Sequence, residues 1–108
     1  MTREEIIGYV QSVIDAELPE STSAYLFGSY ASATENETSD VDLAIVCSHE
    51  SDNPRNLVRT LYKRLTRFEL DYDIIGYTKK QFLETIRTNP FTQNILREGL
   101  LVHGPRIS

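Results

Sequence analysis

Near the N-terminus, Ile6, Ile7, Val10, Val13 and Ile14 recur at three- and four-residue intervals. That is the period of a helix turning one apolar face to a core. It predicts an amphipathic helix from Thr2 to about Ala16, with Thr2 and Glu5 at capping-box spacing and Leu18-Pro19 at its end. The pattern then changes to short, unbroken apolar runs bounded by turn-forming residues, which read as buried strands. Tyr25-Leu26-Phe27 is the first and Val41 to Cys47 the second. Leu57, Val58, Leu61, Tyr62, Leu65 and Phe68 restore the helical period after a cap at Asp52 or Asn53 and a Pro54 in the first turn. The opposite side of that helix carries Arg55, Arg59, Lys63, Arg64 and Arg67, the pattern of a solvated face. A third strand is predicted over Leu70 to Tyr77. Two short helices follow. One is capped by Thr78 and Gln81 with Phe82, Leu83 and Ile86 inside; the other holds Phe91, Ile95 and Leu96 and ends at Gly99. Leu100-Leu101-Val102 predicts a small edge strand. The order implies an α/β or α+β domain with one small sheet.

Composition sets limits on this picture. The 108 residues suffice for one core, so a single domain over residues 1–108 is expected, with no separate acceptor-binding domain. Apolar content of 40% and charged content of 25% are those of an ordinary globular chain. No apolar run has membrane-spanning length, and M-T-R-E-E lacks the basic-then-apolar order of a signal peptide. The one cysteine, Cys47, excludes an internal disulfide and fits a reducing cytoplasm. It reads as a packed side chain. The net charge of −5 argues against sequence-blind binding to nucleic acid.

The chemistry concentrates in S-A-Y-L-F-G-S-Y-A-S-A-T-E-N-E-T-S-D-V-D-L-A-I-V, residues 23–46. Asp40 and Asp42 are two apart at a strand start, so their side chains share a face. Like charges held that close call for a cation between them, and a hard oxygen site suits Mg²⁺. Asp73 is the expected third acid, because an apolar run follows it as one follows Asp42. Asp71 faces the same way and is the alternative. Gly28 permits a sharp turn off the first strand and close approach of a phosphate. Ser29 adds a hydroxyl, and a helical turn begun there would offer N–H groups to phosphate oxygens. His49 and His103 lack metal-ligand companions, and the DVDLAIVCSHESD stretch lacks the glycine and spacing of a calcium loop.

Gly28-Ser29, ten intervening residues, then Asp40-Val41-Asp42 with Ser39 just ahead, together with Asp73-Ile74-Ile75, resemble the minimal nucleotidyltransferases of the DNA polymerase β-like superfamily. The resemblance covers essentially the whole chain. It implies a small mixed sheet flanked by helices, in the polymerase β-like palm arrangement. It also implies attack of an acceptor hydroxyl on the α-phosphorus of a Mg²⁺-bound nucleoside triphosphate, ATP or another, with pyrophosphate leaving. By position, Asp40, Asp42 and Asp73 would be the catalytic, metal-binding acids for two Mg²⁺ ions, and Gly28, Ser29 and Ser39 would contact the nucleotide. Many family members carry arginine directly after Gly-Ser and again two residues later; here those positions are Tyr30 and Ser32. Arg55, Arg59 or a residue from another chain is the candidate replacement, and Tyr30 reads as a packing residue before a base-stacking one.

With no acceptor domain expected, the acceptor must come from a partner or a second copy. Stand-alone members of the family it resembles are often paired with HEPN-domain toxins, which they silence by moving AMP to a tyrosine or by binding. The expectation is therefore a cytoplasmic antitoxin acting as a protein adenylyltransferase on a HEPN partner. Two alternatives stand beside it: a non-catalytic binding module with a vestigial site, and a homodimeric small-molecule nucleotidyltransferase.

Overall fold

The computed structural model describes residues 1–36 and 38–107. Glu37, within the loop over Thr34 to Ser39 expected to be acidic and solvated, lies outside the described residues, as does Ser108. Four strands form one mixed sheet in the order β3-β2-β1-β4. They are β1 (Ser23–Phe27), β2 (Val41–Cys47), β3 (Tyr72–Thr78) and β4 (Leu100–His103). β1 runs antiparallel to both β2 and β4, while β2 and β3 are parallel. A parallel pair needs a crossover, and α3 (Pro54–Arg64) supplies it.

The sheet's first face is closed by α1 (Arg3–Glu17) and α3. Ile6, Val10 and Ile14 from α1 meet Leu61 and Leu65 from the α3 end over Leu26, Leu43, Ile45 and Ile74. Each such aliphatic side chain removed from water contributes roughly 1.5–3 kcal/mol before entropy is counted. The Thr2 hydroxyl accepts the Glu5 N–H and fixes where α1 starts. The second face carries α4 (Lys79–Thr85) and α5 (Pro90–Glu98) over Tyr25, Ala44 and Val46, with Phe82 and Ile95 inserted between. Thr78 and Gln81 form the full reciprocal capping box of α4. The chain end folds back on this face, where the Ile107 N–H donates to the Tyr25 hydroxyl at 2.9 Å.

One expected boundary and two expected burials differ. The helical stripe predicted as far as Phe68 stops at Arg64, because the Tyr9 hydroxyl takes over the chain there. It donates to the Arg64 carbonyl and accepts the Thr66 N–H, both at 3.0 Å. Phe68 then turns at φ 68° in a short 3₁₀ segment (Arg67–Glu69). Tyr62, expected inside, is exposed, and its hydroxyl accepts the Ile74 N–H on the free edge of β3. Phe91, also expected inside, is exposed at the start of α5. His103 packs as expected of a structural histidine: its ring nitrogens meet Asp15 at 2.7 Å and the Pro19 carbonyl at 2.9 Å.

Candidate active site

Along β2 the side chains alternate strictly. Val41, Leu43 and Ile45 enter the closed face; Ala44 and Val46 enter the other. Asp42 therefore points to the α4/α5 side of the sheet. By the same alternation Phe27 on β1 and Asp73 on β3 point there too. The register aligns them: Phe27 is opposite Asp42, and Asp42 is opposite Asp73. A single row, Phe27–Asp42–Asp73, thus crosses three strands at one level. Asp40 lies just before β2, and Asp71 just before β3, where its carbonyl accepts the Val41 N–H at 2.9 Å. Parallel pairing is what sets carboxylates from two separate sequence regions side by side.

Electrostatics follow from this row. Asp42 is half-buried, whereas Asp40 and Asp73 are exposed. The Asp42 carboxyl is held above its ordinary value, first by burial, then by the negative charge of Asp73 and of Asp40. Asp73 and Asp40 are thus close enough to be felt at Asp42, and Asp71 is not among the causes. That favours Asp73 over Asp71 as the third acid. Among the described residues, no three His, Cys, Asp or Glu side chains are drawn together tightly enough to enclose a metal ion as they stand. Three carboxylates of like charge have no reason to converge further without a cation. Their donor chemistry, hard oxygens on one open face, fits a divalent ion such as Mg²⁺.

Gly28 shapes the other wall. Its φ of 75° is one that side-chain-bearing residues rarely adopt. A Cβ at this position would overlap the Asp42 Oδ2. The turn therefore passes directly over the central carboxylate, which only glycine allows. The four-residue α2 (Ser29–Ser32) starts immediately after it, and Ala31 and Ser32 donate back to the Gly28 carbonyl at 3.2 Å each. The N–H groups of Ser29 and Tyr30, at the first turn, are left without a helical acceptor. The Ser39 hydroxyl accepts the Asn36 N–H at 2.9 Å, closing the loop that delivers Asp40.

The arginines considered as replacements do not reach this wall. Arg55 lines a groove of about 500 Å³ with Asn53, Gly76 and Thr78. That groove sits where β2 and β3 end, at Ile45 to Cys47, opposite the acids, and no carboxylate lines it. Arg59 is on the same helix, across the sheet from the acid row. Tyr30 is only 3% exposed and packs into the closed face. Burial, then Glu35, raises its hydroxyl pKa. The cation that does meet α2 is Arg3, whose Nε donates to the Tyr30 carbonyl at 2.7 Å and lies 3.7 Å from Glu35. Nothing in the spacing of the sequence links residues 3 and 30, so this contact was not foreseen.

A mixed four-stranded sheet with helices on both faces, and an acid row beside a glycine turn, is the palm of a nucleotidyltransferase. The family model described as polymerase beta, nucleotidyltransferase matches residues 10–104, and the chain belongs to that family. Among curated proteins, no sequence matches this chain. Solved structures do. A toxin–antitoxin complex with AMP-PNP is 22% identical, with TM-score 0.56, covering 98% of this chain and 76% of that one. The complex of a tri-AMPylated Shewanella oneidensis HEPN toxin with its MNT antitoxin is 19% identical, with TM-score 0.54, covering 96% and 74%. The MntA–HepT toxin–antitoxin complex is 18% identical, with TM-score 0.53, covering 94% and 73%. At these identities the likeness carries the fold.

Proposed function

We propose that this chain transfers AMP from ATP to a tyrosine hydroxyl of a HEPN-domain toxin and so acts as its antitoxin. The observation that carries the reading is the register of Asp42 against Asp73 with Gly28 folded over Asp42. Asp40, Asp42 and Asp73 would hold Mg²⁺. When bound, two such ions supply charge neutralisation at the attacking and leaving oxygens of an in-line displacement. The chain's own groups do the rest. The Ser29 and Tyr30 N–H groups receive outer phosphate oxygens, as helix starts do for anions. Asp73, on the open side of the row, accepts the proton of the acceptor hydroxyl. The new bond joins that oxygen to the α-phosphorus, and the bond from the α-phosphorus to the pyrophosphate oxygen breaks. Positioning and charge stabilisation carry most of the rate. The neighbouring structures with AMP-PNP and with an AMPylated HEPN toxin support this choice of nucleotide and partner.

The test is incubation with the cognate HEPN partner, Mg²⁺ and ATP, read by intact mass. A gain of AMP on the partner, absent with Asp42→Asn, is expected. No gain with any of the four common ribonucleoside triphosphates would overturn the reading. One observation favours a second reading, a non-catalytic antitoxin: Tyr30 is buried and Ser32 neutral where many relatives place arginines. That reading requires Asp42→Asn to neutralise the partner as well as the wild type does.

A further inference from the structure

One aromatic surface beside the acid row has no part in that scheme. Phe91 opens α5 and is 45% exposed, although it is large and wholly apolar. Its ring is nonetheless held in place. It meets the Phe27 ring edge-on, with centroids 5.5 Å apart and planes at 88°. Phe27 is the residue opposite Asp42. The exposed ring therefore lies one side chain beyond the acids, on the same side of the sheet.

The same helix adds polar groups. Asn94 and Glu98 line a cavity of about 180 Å³ together with Phe27 and Gly28. Spaced three and seven residues after Phe91, they lie along one side of α5. Gly99 lets this helix end close on β1: a Cβ there would overlap the Ile95 carbonyl oxygen and approach the Leu26 carbonyl oxygen to 3.3 Å. Both polar side chains are exposed, and among the described residues Glu98 makes no ion pair. The Asn94 amide oxygen has only a marginal contact with Arg97, at 3.5 Å. A cavity this size is below the roughly 300–1,000 Å³ of sites that engulf a drug-sized ligand. It suits the edge of one ring system, with Phe91 outside its lining and the rest of the ligand outside as well.

We infer that Phe91, Asn94 and Glu98 form a nucleobase subsite selective for adenine and cytosine, which carry an exocyclic amino group at the position where guanine and uracil carry a carbonyl. This rests on the reading of Gly28 and the acids as the phosphate and metal end of the same site. Phe91 gives any base a π-face to stack on. The Asn94 amide pairs an amino group and the adjacent ring nitrogen together, as Asn does with adenine. The Glu98 carboxylate only accepts, so it takes an amino hydrogen and repels the carbonyl that uracil or guanine presents there. Adenine and cytosine are favoured over guanine and uracil, with adenine gaining more from stacking area.

Equilibrium binding with Mg²⁺ tests this, using ATP, CTP, GTP, UTP and inorganic tripolyphosphate as probes. Phe91→Ala is expected to weaken ATP about tenfold and to leave tripolyphosphate unchanged, while Phe91→Trp retains ATP. Asn94→Ala and Glu98→Gln are expected to shrink the preference for ATP over GTP by about fivefold or more. Wild-type ATP affinity that survives Phe91→Ala, or that equals tripolyphosphate affinity, overturns the subsite while the phosphate site stands. Loss of HEPN-partner binding in Phe91→Ala with ATP affinity intact makes the ring a protein contact and also overturns it. If the wild type binds neither tripolyphosphate nor any nucleotide, the proposed function fails and the subsite falls with it.

Discussion

The two faces of the sheet are built to different standards. The face under α1 and α3 gathers fourteen buried side chains of the described residues into one cluster, against six under α4 and α5. Neighbouring residues of one strand show the contrast. Val41 is wholly buried on the closed side, and Asp42, next to it, stands half-buried on the other. Complete packing on one side frees the opposite side from having to hold the fold, so its upper end can leave carboxylates and an aromatic ring uncovered. Stability and chemistry are assigned to opposite faces of the same strands, and substitutions should separate them.

The largest effect is expected from the closed face. Leu43→Ala removes a fully buried side chain from between α1 and α3 and should cost about 2–5 kcal/mol. Its counterpart beside the open row, Phe91→Ala, loses an exposed ring and one edge-on aromatic contact, about 0.5–1.5 kcal/mol. Urea denaturation of both variants measures the difference. Equal losses would mean that the faces share the load and would break the comparison.

Asp42→Asn should separate the two properties. Losing a charged group aimed at the reacting centre costs about 10²–10³-fold in transfer rate. Stability should hold or rise, because a half-buried carboxylate is removed from the field of Asp73 and Asp40. Transfer assays and a urea midpoint on the same preparation read both. A midpoint that falls by more than the closed-face variant would show that Asp42 is structural after all.

Gly28→Ala comes next. Its backbone, at φ 75° and ψ −153°, should alone cost about 1–3 kcal/mol with a side chain, and the added methyl must also displace the Asp42 Oδ2. The two causes can be parted. In an Asp42→Ala background the overlap disappears and only the backbone strain remains, so the penalty should shrink. An unchanged penalty would mean that the turn does not press on the acid.

How much of this was legible in the chain depends on whether local or distant contacts decide a feature. Val41 to Cys47 could be bounded from sequence because an unbroken apolar run between polar loops has one economical use. Thr78 and Gln81 were legible because a capping box is local. The end of α3 was not, since the Tyr9 hydroxyl that stops it comes from a helix more than fifty residues earlier. Phe91 has the right spacing from Ile95 to be read as core, and only the position of α5 over β1 shows that its first turn overhangs the packed face. For the site, strand alternation placed Asp40 and Asp42 on one side. The register bringing Asp73 beside Asp42 could not be read from spacing, because nothing local fixes how parallel strands align; the apolar run after Asp73, like the one after Asp42, pointed to it, and the family resemblance agreed.

The smallest expected effect lies at the other end of β2, where the strand leaves the acids behind. Cys47 is buried there, and its thiol is pushed up to about 11, first by burial, then by the negative charge of Asp52, with Thr22 pulling weakly the other way. The thiolate is the reactive form. At pH 8 the folded protein should therefore leave a maleimide or disulfide reagent almost unreacted, and labelling should follow global unfolding in urea. The sign of the pH dependence follows from the same shift. An unfolded cysteine loses its proton near pH 8.5, the folded one only near 11. Between these values the unfolded state binds fewer protons, so stability is at its full value below about pH 8.5 and declines as pH rises toward 11. Cys47→Ala should flatten that alkaline decline without touching transfer at neutral pH. Rapid labelling of the folded wild type at pH 8 would show that this end of the strand opens without global unfolding.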